Sequence, residues 1–106
     1  VMLVVGSGGH PDPSIIARLL GNEDIRFAGD SELEELFPDC DAGAMPPVGT
    51  LYGMPVWVDA ELARASQITF PTGRRGESVT TSMRDFERLI WPTYATLAAI
   101  PTATAP

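Results

Sequence analysis

The stretch from Phe37 to Asp59, FPDCDAGAMPPVGTLYGMPVWVD, constrains this chain more than any other. It holds four of the ten prolines and three of the ten glycines, yet it is too apolar to be a linker. Its glycines admit backbone angles closed to other residues, while Pro46, Pro47 and Pro55 fix φ and withdraw amide donors. The expected result is a stiff, shaped loop in which some amides and carbonyls belong to no ladder. Such a loop either reads a small ligand through its backbone or serves as a rigid connector between two elements. It leads into Pro55 to Val58, which reads as a strand.

At 106 residues the chain is long enough for one domain with one modest core. Its net charge of −7 comes from 14 acidic and 7 basic residues, and every basic residue is Arg. That balance argues against broad electrostatic binding to nucleic acid, which relies on cations against phosphate, but leaves room for a small local contact. Cys40 is the one cysteine, which excludes an internal disulfide and suits a reducing compartment such as the cytoplasm. No apolar run has the length of a membrane-spanning helix. The chain opens on a strand-like run without Met and shows no signal peptide, so it reads as a fragment.

Taken in order, Met2 to Val5 is a continuous apolar run that predicts a strand buried on both faces. Gly6-Ser7-Gly8-Gly9-His10-Pro11 follows, but it lacks the third glycine of a dinucleotide-binding turn, and Pro11 and Pro13 delay the next helix. His10 reads as a surface residue. Asp12 as cap, Pro13 at the first position and Gly21 as stop predict a helix with Ile15, Ile16, Leu19 and Leu20 on one face. Asp24 to Ala28 alternates polar and apolar and predicts a half-buried strand. Ser31 and Glu34 form a capping-box pattern for a short helix through Leu36, whose acidic residues suit a solvated helix end. Asp39, Cys40 and Asp41 lack the ligand spacing of a metal site.

After the central loop, Val56 to Val58 predicts a strand, and Asp59 to Arg64 a short helical turn capped by Asp59. Gln67 to Phe70 alternates as a strand, 72–76 is a turn, and Glu77 to Thr81 returns as a second strand. Ser82 caps a helix with Asp85 at the third position and a buried stripe of Met83, Phe86, Leu89 and Ile90. Trp91-Pro92 breaks that helix or restarts it toward Ala99. The spacing predicts no Ser-His-Asp set, and it calls for neither a metal nor a cofactor.

Three ordered segments carry a resemblance. They are Phe37-Pro38-Asp39-Cys40, then Gly43 to Gly49 with the G-x-x-x-P pattern at Gly43 and Pro47, then Leu51 to Asp59. Phe70-Pro71-Thr72-Gly73-Arg74-Arg75-Gly76 resembles a further small-x-G-x-[RH] segment, and Ser82 to Ile90 a closing helix. Together they resemble the YbaK/ProX family of aminoacyl-tRNA editing domains over roughly residues 1–97. The resemblance implies ester hydrolysis at the aminoacyl-tRNA 3′ end, removing wrongly attached small amino acids, with an aminoacyl-tRNA synthetase as a possible partner. It also implies that Gly43 and Arg75 act in catalysis. Ala44, Met45, Pro46, Pro47, Gly49, Thr72, Gly73 and Ser78 would bind substrate. Oriented amides suit that chemistry, because they stabilise a developing oxyanion without reorganising.

The chain departs from the family in one major respect. Relatives carry a functional Lys on a strand upstream of the one matching Met2 to Val5, and this chain has no Lys. Pro71 also stands where relatives often have Ser, and Ser78 near where some have an acidic residue. A guanidinium at Arg75 could grip a phosphate or carboxylate, or simply be a solvated hairpin side chain.

The expected architecture is α+β: one domain spanning 1–99, with a mobile tail at 100–106 and an N-terminal strand missing. Its sheet would be mixed, mostly antiparallel and curved toward a barrel, with short flanking helices, the curvature being what the family implies. An edge left open by the missing strand would favour a homodimer. The expected activity is aminoacyl-tRNA deacylation. The alternatives are a non-catalytic ligand-binding or regulatory module of the same fold, or a purely structural domain. Gly43→Ala is expected to harm hydrolysis or ligand binding more than folding.

Overall fold

Asp12, Pro13 and Gly21 bound the first helix by the expected chemistry. The Asp12 carboxylate accepts from the Ser14 amide at 2.9 Å, and helix α1 runs Pro13–Leu20 to a left-handed Gly21. The same contacts, the Ser14 hydroxyl first and then its amide, hold the Asp12 carboxyl below its ordinary range. The computed structural model describes residues 1–6 and 9–98. The tail expected at 100–106 lies outside the described residues.

Strand β1, Met2–Val4, pairs in parallel with β2, Val56–Asp59, which in turn pairs in parallel with β5, Thr93–Ala95. Strands β3, Gln67–Pro71, and β4, Ser78–Ser82, form a separate antiparallel hairpin. Helix α2 spans Asp30–Leu36 and α3 spans Met83–Ile90. The domain is α+β with strands of both directions, as expected. Its antiparallel pairing is confined to the hairpin, and the described strands do not close into a barrel.

The core lies where α3 crosses the strands. Val56, Val58, Ile68, Met83, Phe86 and Ile90 are buried together, and the rings of Phe70 and Phe86 meet with centroids 5.9 Å apart. Ser82 caps α3 through its hydroxyl, which accepts the Asp85 amide at 3.1 Å. Leu89 does not join the stripe and is 75% exposed. Successive helical residues turn by about 100°, so a residue beside Ile90 leaves the face that Met83, Phe86 and Ile90 share.

Several expectations are corrected. Met2–Val4 is an edge strand, only half-buried, because β2 is its one described neighbour. Residues 24–28 form no strand: no backbone among the described residues pairs with them, and Phe27 is exposed. Helix α2 begins at Asp30 rather than after Ser31. Glu32 closes the cap by accepting the Gly29 amide at 3.2 Å, and it is held in place by an ion pair with Arg26. Asp59 ends β2 and caps no helix. It is buried, and its Oδ1 accepts the Leu97 amide at 2.9 Å. Trp91, at φ 52°, ends α3, and Pro92 bars its continuation, so residues 93–95 take the free edge of β2 instead of resuming a helix.

Leu97 ties the domain together. Its side chain is fully buried, its amide goes to Asp59, and its carbonyl accepts the Asp12 amide at 2.8 Å. One residue thus fixes the end of β2 and the start of α1.

Candidate functional site

The central loop is built in two parts. Asp41 to Ala44 is a tight turn closed by the Ala44 amide on the Asp41 carbonyl at 3.0 Å. Gly43 is its third residue, with φ +76°, the position and sign that a type II turn requires. Ala44, Pro46 and Pro47 are buried behind it. Residues 49–52 then form a short 3₁₀ turn packed on β1 and β2.

A cleft of about 930 Å³ opens in front of this loop. Strand β1 lines one side, Met45, Pro46 and Pro47 another, and Phe70 and Pro71 at the end of β3 a third. Residues 25–28 add Ile25 and Phe27 to the wall, so the segment that fails to pair as a strand still borders the hollow. A smaller cavity of about 280 Å³ lies between the turn and α2 and is lined by Gly43, Asp41 and Cys40 among others. Met45, Leu33 and Phe37 line both hollows, which therefore share a wall.

The second loop, 72–76, meets the first. The Asp41 amide donates to the Gly73 carbonyl at 2.7 Å, and the Asp41 carboxylate accepts the Arg75 amide at 2.8 Å. Cys40 Sγ lies against buried Gly73 and 3.5 Å from the Tyr52 hydroxyl. That sulfur contact, with burial and the charge of Asp39, raises the Tyr52 phenol above its ordinary value. Tyr52 also meets Phe37 edge-on, with centroids 4.6 Å apart. Cys40 and Asp41 thus join the loops.

The expected site residues separate into groups. Gly43 borders the small cavity, Met45 both hollows, and Pro46 and Pro47 the cleft. Ala44 is buried behind the turn, and Gly73 is buried at the junction of the loops. Arg75 is held there by its amide, while its exposed guanidinium makes no ion pair among the described residues. Thr72 and Ser78 are exposed, and Thr72 donates to Glu77 at 3.3 Å. Gly49 lies away from the cleft, buried against Met2 and Val56. Asp41, which bridges the loops, is the residue that sequence reasoning passed over. Its signal was an acidic side chain just before a glycine turn, a common loop feature with nothing in it to name a partner 34 residues away.

A Cβ built on Gly43 meets no atom within 4 Å, so its cost would be conformational. Gly43→Ala is expected to destabilise the domain by about 1 kcal/mol, the strain of a left-handed non-glycine residue. Thermal melting checks this, with an expected fall of about 4–8 °C. An unchanged melting temperature would mean that the turn relaxes freely.

The small α+β domain thus sets an apolar cleft near a glycine turn, to which a second glycine loop is hydrogen-bonded. The profile of the aminoacyl-tRNA editing domain family matches residues 1–89, and the chain belongs to that family, the YbaK/ProX family. No curated protein sequence matches the chain. Among solved structures it is similar to a scaffold protein used for computational grafting of linear epitopes, at TM-score 0.80 and 21% identity over 92% of this chain. It is similar to a putative signal transduction protein from Marinobacter aquaeolei VT8, at TM-score 0.79 and 20% identity over 98% of this chain. A third, described as a hypothetical protein, matches at TM-score 0.78 and 20% identity over 92% of this chain. At such identities these likenesses concern the fold alone. The chain spans 62%, 23% and 65% of the lengths of those three chains.

No described helix is long and apolar enough to cross a membrane.

Proposed function

We propose that the protein hydrolyses the ester of mischarged aminoacyl-tRNA, releasing a small amino acid from the tRNA 3′ end. The observation that carries this reading is the clamp between the turn 41–44 and the turn 72–76 beside an apolar cleft, in a chain of the editing family. In the reaction a water attacks the ester carbonyl and the terminal ribose hydroxyl leaves with a proton. The charge that develops on the carbonyl oxygen is what a backbone amide can stabilise, and the amide of Gly43 donates to no acceptor among the described residues. Arg75, exposed at the second loop, offers a guanidinium to the phosphate of the terminal nucleotide.

The cleft of about 930 Å³ falls in the range of pockets that hold a whole small ligand, enough for an aminoacyl group with part of its adenosine. Its wall of Met45, Pro46, Pro47 and Phe70 favours an apolar or small side chain over a charged one. Size discrimination there is modest, since one methylene is worth only about 1–3 kcal/mol.

A second reading, a non-catalytic binding module, is favoured by one comparison. The same fold makes up 23% of the length of a putative signal transduction protein, where it is one part of a larger chain. One experiment separates the two. The purified protein is incubated with a panel of mischarged tRNAs, including alanyl- and cysteinyl-tRNA for proline, and amino acid release is followed beside binding. Release above the buffer rate is expected for at least one small amino acid. Binding without release supports the module, and the absence of release from every tRNA of the panel overturns the editing activity.

A further inference from the structure

We propose that Asp41 is a positioning residue that sets the spacing of the turns 41–44 and 72–76 by holding the Arg75 amide. The proposal rests on the editing reading for what the two turns do together. Asp41 makes two bonds across the junction, and they differ in kind. Its amide donates to the Gly73 carbonyl at 2.7 Å, a contact any residue could make. Its carboxylate accepts the Arg75 amide at 2.8 Å, a contact that needs a side-chain oxygen at this point of the turn. The first bond places the loops side by side. The second fixes how far the hairpin tip swings, because it grips the residue two beyond Gly73.

The surroundings leave that bond as the one adjustable restraint. Gly73 is buried, and a Cβ built on it would stand 3.4 Å from Cys40 Sγ, so the base of the turn is already packed. Beyond it, the Glu77 amide donates to the Arg74 carbonyl at 3.1 Å and closes the turn on itself. Residues 74–76 are exposed and have no other described bond to the central loop. Without the Asp41 carboxylate, Arg75 keeps its own turn but loses its fixed distance from Gly43. A misplacement of even about 1 Å costs rate heavily in a reaction that depends on alignment.

The test compares Asp41→Ala with Asp41→Asn. Asparagine keeps a carbonyl oxygen that can accept the Arg75 amide, without the charge. Three quantities are read: the single-turnover deacylation rate at saturating protein, the hydrogen exchange of the Arg75 amide, and the melting temperature. Asp41→Ala is expected to lower the single-turnover rate about tenfold or more. It is expected to speed Arg75 exchange about tenfold while the core amides keep their protection. Asp41→Asn restores both most of the way. A purely structural role would move the melting temperature and leave the rate per folded molecule unchanged.

Unchanged Arg75 exchange in Asp41→Ala overturns the proposal. So does an asparagine variant as impaired as the alanine one, since charge rather than the held amide would then matter. An Asp41→Ala protein that does not fold also overturns it, because a positioning residue leaves the core intact. If the wild-type protein hydrolyses no aminoacyl-tRNA, the editing reading fails by itself, and the ratio of Arg75 exchange rates decides the clamp alone.

Discussion

Replacing Phe86 by alanine is expected to cost about 3–5 kcal/mol, the range for emptying a buried phenylalanine site. Phe86 is 1% exposed and stands at the centre of the cluster formed by Val56, Val58, Ile68, Met83 and Ile90. Its ring packs against Phe70 at 5.9 Å, so its loss also removes one half of an aromatic pair. The site collapses poorly, because the strands on one side and the helix on the other are each held by their own hydrogen bonds. A domain of this size has only about 5–15 kcal/mol to lose, so the variant should approach the unfolding threshold. Denaturant titration reads the effect as a shift in midpoint. A loss below about 1 kcal/mol would place the centre of the core elsewhere. Because β3 carries both Phe70 and the approach to the turn 72–76, the same variant should loosen the second loop of the candidate site.

Gly49→Ala is expected to be the next most damaging change, and for a different reason than Gly43→Ala. A Cβ at position 49 would stand 2.7 Å from Val56 Cγ2, 3.0 Å from the Met54 carbonyl oxygen and 3.3 Å from Met2 Cβ. Two of those neighbours belong to paired strands and the third is backbone, so none can swing aside cheaply. Overpacking of this kind costs about 1–3 kcal/mol. Thermal melting of the two glycine variants together sorts them. Position 49 should fall further than position 43, where the penalty is backbone strain alone. A Gly49→Ala protein that melts with the wild type would show that β1 can move away from β2. The two motif glycines thus have separate physical duties, one turning the chain beside the cavity and one letting the loop press against the sheet.

What could be read from the residues depended on how local the cause was. Asp12, Pro13 and Gly21 bound α1, and Ser82 with Asp85 opens α3, through contacts spanning three residues or fewer between cap and helix start. The hairpin of β3 and β4 was legible because its alternation and its turn lie together in the chain. The loops of the site were legible for a similar reason: glycine and proline carry their backbone limits with them. Residues 24–28 misled because alternation reports a side-chain pattern and says nothing of a partner for the backbone. The segment keeps Ile25 and Phe27 on the cleft wall without joining a ladder. Leu89 misled because an apolar residue next to Ile90 was read into a stripe whose face it leaves by about 100° of helical rotation.

The helix ends, the hairpin, the two shaped loops and, through the ordered motifs, the family were therefore legible in the residues alone. The tertiary fold set β1, β2 and β5 parallel, since such pairing joins residues that lie tens of positions apart. It decided that Asp59 anchors Leu97 instead of capping a helix, and that Asp41 reaches across 34 residues to the Arg75 amide. A carboxylate carries the same chemistry wherever it stands. Which amide it meets depends on how the chain closes, and that closure follows from burying one core rather than from any local preference.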